Sequence, residues 1–288
     1  MPAPPGVIEP AGVTHREVTV RGVRLHVAQA GHGPPLVLLH GWPQHWWSWR
    51  HLIPALAQRY TVIAPDLRGW GWSQAPPGDY AKSDFAADIV ALLDHEGIDR
   101  ARVMGHDWGG YTAFLLALDH PERVQRMVAL DIVPPWPSRP GLRQLGLPLF
   151  LSYQFVLASP LGAHVLTRAP RFVRWLIRRG SGRDMRWSRA ELDAYADVLR
   201  DPARARASSA CYRTFLTREI AAGLRRRPSD LTVPSLLIMG GGSALYWVTA
   251  PRPAPSLEVR VIPRAGHFLP EEAPDAVRAL ATPFLAGT

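Results

Sequence analysis

The segment Met104-Gly105-His106-Asp107-Trp108-Gly109-Gly110-Tyr111 follows the outline of a nucleophile elbow, G-x-S-x-G, with an aspartate where that outline has a serine. Small residues on either side permit a sharp strand-to-helix turn that exposes the middle side chain. The N-terminus of the following helix favours negative charge there. A serine must lose a proton before it attacks, whereas a carboxylate, with a reference pKa of about 3.9, is already ionised. A carboxylate attacks esters and amides poorly, because the adduct collapses back. It suits displacement at a saturated carbon, which leaves an alkyl ester on Asp107. An aspartate that only caps a helix would look the same in isolation.

Two further segments fit the chemical reading. His40-Gly41-Trp42-Pro43 ends a predicted central strand, and the backbone N–H groups of Trp42 and Trp108 are expected to form an oxyanion hole. Arg264-Ala265-Gly266-His267-Phe268 follows the last predicted strand, which puts His267 at the carboxyl edge of the sheet, where sites in such folds collect. His267 is then the expected base that activates water against the ester. His40 and His106 read as structural neighbours of the site.

The elements that must carry these residues are legible as patterns. Residues 18–28 (VTVRGVRLHVA) alternate and turn at Arg21-Gly22, which predicts an antiparallel hairpin. Apolar runs at 35–40, 60–66, 101–105, 124–130, 233–240 and 257–262 predict buried strands. Helical patterns cover 46–59, 84–96 and 111–119. Strands alternating with helices imply a mostly parallel central sheet flanked by helices. From Val133-Pro134-Pro135 to about Pro228 the pattern is helical, so an α/β core (1–133 and 229–288) is expected to carry an inserted helical cap (134–228).

Composition bounds the remaining possibilities. Cys211 is the only cysteine, so neither an internal disulfide nor a cysteine-based metal site is expected, and no metal or organic cofactor is required by the chemistry above. A chain without disulfides fits a reducing cytoplasm. The opening MPAPPGVIEPAG lacks the pattern of a signal peptide. The apolar stretch 146–162 is broken by Pro148 and Pro160 and reads as lid rather than membrane span. The net charge of +9 raises nucleic acid as a partner. However, the arginines fall in helical segments such as 168–180, no zinc-finger or RNP-type spacing accompanies them, and a solvated helix surface is the expectation. A monomer or homodimer, with no nucleic-acid or membrane partner, is anticipated.

The set HGWP, DLRGWGWS (Asp66 to Ser73), GHDWGG and AGHF, in this order, resembles the α/β-hydrolase superfamily. It is most similar to the branch with an aspartate nucleophile, which holds epoxide hydrolases and haloalkane and haloacetate dehalogenases. The resemblance covers nearly the whole chain. It implies Asp107 as nucleophile, His267 as base, and an acid behind the histidine. The usual place for that acid, G-x-x-D after the seventh strand, holds Gly240-Gly241-Gly242-Ser243 instead. The alternative place, after the sixth strand, holds Leu130-Asp131-Ile132, so Asp131 is the expected acid, with a turn cap as its ordinary alternative.

The resemblance also separates substrates. Epoxide hydrolases use two cap tyrosines to protonate the opening oxygen, and Tyr153 and Tyr212 fall at the matching places, although either could be an ordinary core tyrosine. Haloacetate dehalogenases carry arginines just after the nucleophile, where this chain has Trp108 and Tyr111. The expected reaction is opening of a small apolar epoxide to a vicinal diol, with Trp42, Trp108, Tyr153 and Tyr212 on the substrate. Carbon–halogen hydrolysis by the same aspartate is the alternative. A non-catalytic binder on this fold, marked by Ser243, is a third reading. Trp46, Trp47, Trp72 and Trp136 are expected either to line the pocket or to pack in the core.

Overall fold

The structure is a computed structural model and describes residues 8–136, 152–249 and 254–287. At its centre eight strands form one sheet in the order β1-β2-β4-β3-β5-β6-β7-β8. β1 (Thr14–Val20) and β2 (Val23–Ala30) make the antiparallel hairpin. Its two turn residues, Arg21 and Gly22, both have positive φ, the conformation that matches the twist of a two-residue hairpin. β2 pairs antiparallel with β4 (Thr61–Pro65). β3 (Pro35–Leu39), β4, β5 (Ala101–His106), β6 (Val124–Leu130), β7 (Ser235–Gly240) and β8 (Leu257–Ile262) pair in parallel.

The parallel strands are apolar runs because both faces are covered. Leu36 to Leu39, Val103, Met104, Met127 to Leu130 and Leu236 to Met239 are all buried. The helix Trp108–Asp119 packs on β5 and β6, and Pro274–Ala286 packs on β6 and β7. With β5 between β3 and β6, the carboxyl ends of neighbouring strands share one edge. That edge brings Gly41, Asp107, Asp131, Ser243 and His267 together from segments far apart in sequence.

Between β6 and β7 the described chain is helical: Ser152–Ala158, Gly162–Arg168, Pro170–Gly180, Arg189–Ala196 and Pro202–Thr214, the last running into a π-turn at Phe215–Glu219. Ser188 and Glu191 close a capping box at the start of Arg189–Ala196. Residues 146–151 of the apolar stretch lie outside the described residues, and the rest enters Ser152–Ala158. Among the described residues no helix is long and apolar enough to cross a membrane.

Three expectations need correction. Residues 46–59 are not one helix: a 3-10 turn at Trp46–Trp49 is followed by a single helical turn at Ile53–Leu56. The Trp46 N–H is taken by Asp66 Oδ1 at 2.7 Å, and Pro54 has no N–H to give. The elbow helix starts at Trp108 rather than Tyr111. The arginine-rich helix Pro170–Gly180 is not wholly a solvated surface, since Arg174 is buried in an ion pair with Asp193 (2.7 Å) and Val173 and Ile177 are core residues.

Candidate active site

Asp107 sits at the elbow with φ 51° and ψ −124°, a conformation that side-chain-bearing residues seldom adopt. Its own N–H bonds the Leu130 carbonyl (3.1 Å), and its carbonyl accepts the Tyr111 N–H (2.9 Å), so strand and helix both grip the turn. Close packing excludes larger neighbours. A Cβ on Gly109 would lie 2.1 Å from the Leu39 carbonyl oxygen, and one on Gly41 would lie 2.5 Å from Asp107 Oδ1. The Trp42 N–H donates to Asp107 Oδ1 at 2.9 Å, and the Trp108 N–H opens the following helix next to the same carboxylate. Of the two predicted oxyanion-hole donors, the Trp42 N–H bonds the carboxylate and the Trp108 N–H adjoins it in sequence.

His267 bridges the two aspartates. Its Nδ1 lies 2.7 Å from Asp131 Oδ2, and its Nε2 lies 3.5 Å from Asp107 Oδ2. Asp131, fully buried, also accepts the Gly240 N–H (2.9 Å) and the Ser243 hydroxyl (2.7 Å). Burial by itself would make the imidazole less basic. Hydrogen bonds and charge from Asp107 and Asp131 outweigh it and raise His267 to about 10, so it is an imidazolium beside the free carboxylate. Burial by itself would raise the Asp107 carboxyl, but the hydrogen bond and charge of His267 hold it below its ordinary value.

The two other histidines take the structural places expected of them. His40 donates Nδ1–H to the Gly41 carbonyl (3.1 Å) and accepts the Leu67 N–H on Nε2 (3.0 Å). His106 donates Nε2–H to the His267 carbonyl at 2.8 Å. Burial lowers both well toward neutrality.

Above the carboxylate lies a mostly apolar cavity of about 590 Å³, with Asp107, His267 and Ser243 on its floor. Trp42, Trp108, Trp136 and Tyr153 are among its walls. Tyr212 is buried one layer behind, its ring edge-on to Trp42 (5.3 Å), Trp108 (5.6 Å) and Tyr153 (6.0 Å). Burial raises both phenols, Tyr153 to about 12, and the Asp107 charge acts on both in the same direction. Trp46, Trp47 and Trp72 do not line this cavity; they pack among His15, His26, His45 and Tyr195. Among the described residues no group of three or more His, Cys, Asp or Glu is placed to hold a metal ion.

Sequence reasoning missed several of these partners. Lys82 is fully buried, pairs with Glu219 (2.7 Å), donates to the Cys211 carbonyl (3.0 Å), and stands 4.2 Å from the Trp108 ring centre. That cation–π contact braces the indole beside Asp107. Trp175, Phe215, Ile220 and Leu245 line the cavity. The aromatic content of 168–180 was the visible signal for Trp175, whose ring stacks on Phe172 (6.0 Å) and lies under Arg179 (5.5 Å).

Comparison with known proteins agrees with this fold. The family model described as alpha/beta hydrolase fold matches residues 34–274. The chain is 36% identical to a soluble epoxide hydrolase of Corynebacterium sp. (strain C12), over 95% of this chain and 98% of that one. It is 30% identical to a fluoroacetate dehalogenase of Burkholderia sp, over 96% and 94% respectively. An epoxide hydrolase solved without ligand superposes with a TM-score of 0.85 at 32% identity, covering 96% of this chain and 99% of that one. The chain thus belongs to the α/β-hydrolase family, as a hydrolase whose relatives include epoxide hydrolases and a dehalogenase.

Proposed function

We propose that the protein opens an epoxide to a vicinal diol through a covalent ester on Asp107. In this reading residues 134–228 form the cap, and 1–133 with 229–288 form the hydrolase core. The observation that carries the proposal is the line Asp107–His267–Asp131, whose first member is an ionised carboxylate on the floor of an apolar cavity walled by Tyr153. Oδ1 of Asp107 already faces the Trp42 N–H, so Oδ2 is the attacking oxygen. Oδ2 bonds one epoxide carbon as the ring C–O bond breaks, and a phenol of the Tyr153/Tyr212 pair gives its proton to the developing alkoxide. An alkoxide is more basic than a tyrosinate, even one whose pKa is about 12.

Esterification removes the Asp107 charge that helped hold the proton on His267. The imidazole then sheds that proton, which returns the tyrosinate to a phenol, and is free to act as base. Water, deprotonated at Nε2, attacks the ester carbonyl carbon. The oxyanion grows on Oδ1 between the Trp42 and Trp108 N–H groups. Collapse breaks the bond from the carbonyl carbon to Oδ2; the hydroxyl proton of the tetrahedral intermediate passes to the leaving alkoxide, which departs as the diol, and Asp107 returns as a carboxylate beside the His267 imidazolium. Asp131, held by Gly240 and Ser243, keeps the imidazole in the required tautomer and steadies its cation. Product analysis with an aryl and a terminal alkyl epoxide tests the proposal. Diol is expected from the unchanged protein and none from Asp107→Ala; diol formation that survives the substitution would refute it.

One observation favours carbon–halogen hydrolysis as a second reading. The Trp42 indole N–H is buried at the cavity with no acceptor among the described residues, and it could receive a departing halide. Halide release without diol formation would select that reading.

A further inference from the structure

His267 is held by more than its ring. Its backbone N–H donates to the Gly180 carbonyl (2.8 Å), and its carbonyl accepts from His106 (2.8 Å). One carboxylate grips the residues on both sides. Glu272 Oε2 accepts the Gly266 N–H at 2.7 Å, and Oε1 accepts the Phe268 N–H at 2.9 Å. The same Oε2 also accepts the Gly182 N–H at 2.7 Å. Gly180 ends the helix Pro170–Gly180 and lines the cavity, so this third bond joins the histidine loop to the chain between β6 and β7. The two backbones are in direct contact at this seam. A Cβ on Gly266 would lie 2.1 Å from the Gly182 nitrogen, and one on Gly182 would lie 2.8 Å from the Gly266 nitrogen. Only residues without a Cβ allow that approach.

A carboxylate accepting three backbone N–H groups is a strong, charge-assisted fixture. Its ordinary use would be to satisfy the start of its own helix. Here the bond to the Phe268 N–H, at the helix N-cap, serves that use, while the other two reach past His267 to Gly266 and across to Gly182 in a second segment. We propose that Glu272 is a positioning residue for ester hydrolysis, locking the His267 loop to the cap backbone so that Nδ1 stays on Asp131 and Nε2 faces the ester. The inference rests on the function proposed above. It predicts a selective defect, because ring opening by Asp107 uses the elbow, the oxyanion-hole segment and the tyrosines, none of which Glu272 touches. It also ties the base to the cap: a cap segment that lifts takes the histidine loop with it.

The test separates the two chemical steps. Glutamine at 272 keeps one acceptor oxygen but sets an NH₂ group against at least one N–H donor. With an aryl epoxide under rapid mixing, Glu272→Gln is expected to form the Asp107 ester within about threefold of the unchanged rate and to hydrolyse it about 10–100-fold more slowly. The ester then accumulates and is read by mass spectrometry on the peptide containing Asp107. Gly182→Ala strains the seam from the opposite side: its Cβ would lie 2.5 Å from the Arg264 carbonyl oxygen and 2.8 Å from Glu272 Oε2, with the reacting atoms themselves unchanged. It is expected to act in the same direction and serves if Glu272→Gln does not fold. Equal loss in both steps, or no ester in either variant while His267→Gln accumulates one, would overturn the proposal. Absence of ester in His267→Gln itself would overturn the underlying reaction instead.

Discussion

Asp107 holds its side chain at the sheet edge only by accepting a backbone conformation that costs on the order of 1–3 kcal/mol. Its immediate neighbours are what make the position readable in sequence: glycines at 105, 109 and 110 leave few other purposes for such a turn. Ser243 was not readable in the same way. From sequence it marks a missing acid, but in the fold its hydroxyl supports Asp131 from 112 residues away. Spacing along the chain carries no trace of that contact. His267 gives a prediction at this scale. Its folded-state value of about 10 stands above the ordinary 6.5, so its contribution to stability is complete below about pH 6.5 and is lost as pH rises through about 10. Denaturant midpoints measured from pH 6 to 10 are expected to fall less steeply in His267→Gln than in the unchanged protein. An identical slope in both would contradict the assignment.

The elements were legible where local rules decide them. The Arg21-Gly22 turn, the apolar strands and the elbow follow from period and glycine placement. Residues 46–59 misled because the apolar spacing of a helix is present, while Asp66 and Pro54 impose a different local bonding. The helix Pro170–Gly180 misled because arginine content hides its apolar face, which turns Leu176 and Ile177 to the cavity. The packing of β3 against the elbow supplies the prediction here. Gly41→Ala sets a methyl 2.3 Å from Asp107 Cβ and 2.5 Å from Oδ1 and must displace the carboxylate from the Trp42 N–H. A fall in kcat/KM of about 100-fold or more is expected, with the sheet intact by circular dichroism. Near-normal kcat/KM would mean that the carboxylate does not work from this position.

Across the whole molecule the two layers are joined by buried charge. Arg50, from the segment after β3, pairs with Glu271 (2.5 Å) and Glu191 (2.8 Å), lies 3.7 Å from the Trp47 ring centre, and meets Tyr195, which also donates to Glu271. Glu191 and Tyr195 belong to the helix Arg189–Ala196, so the cluster pins that helix to the loop leading away from His267. Burial pushes Glu271 up to about 7, with Arg50 opposing it. Removing Arg50 would strand a buried carboxylate, and Arg50→Ala is expected to destabilise the protein by about 3–5 kcal/mol in equilibrium denaturation. A loss below about 1 kcal/mol would place the pair among ordinary surface bridges. No sequence pattern announced this cluster, because its members are spread over residues 47–271. Arg226, in an arginine-rich stretch read as solvated, also pairs with Asp119 (2.7 Å) at the end of the elbow helix.

The central claim is that the oxygen delivered to the substrate comes from Asp107 and that water repairs the aspartate. A single turnover in ¹⁸O-water, with enzyme in excess over an aryl epoxide, tests it most directly. An unlabelled diol is expected from the first turnover, with ¹⁸O in the peptide containing Asp107. Label appearing in the diol at the first turnover, with none in Asp107, would mean that water attacks the epoxide directly and that no ester forms.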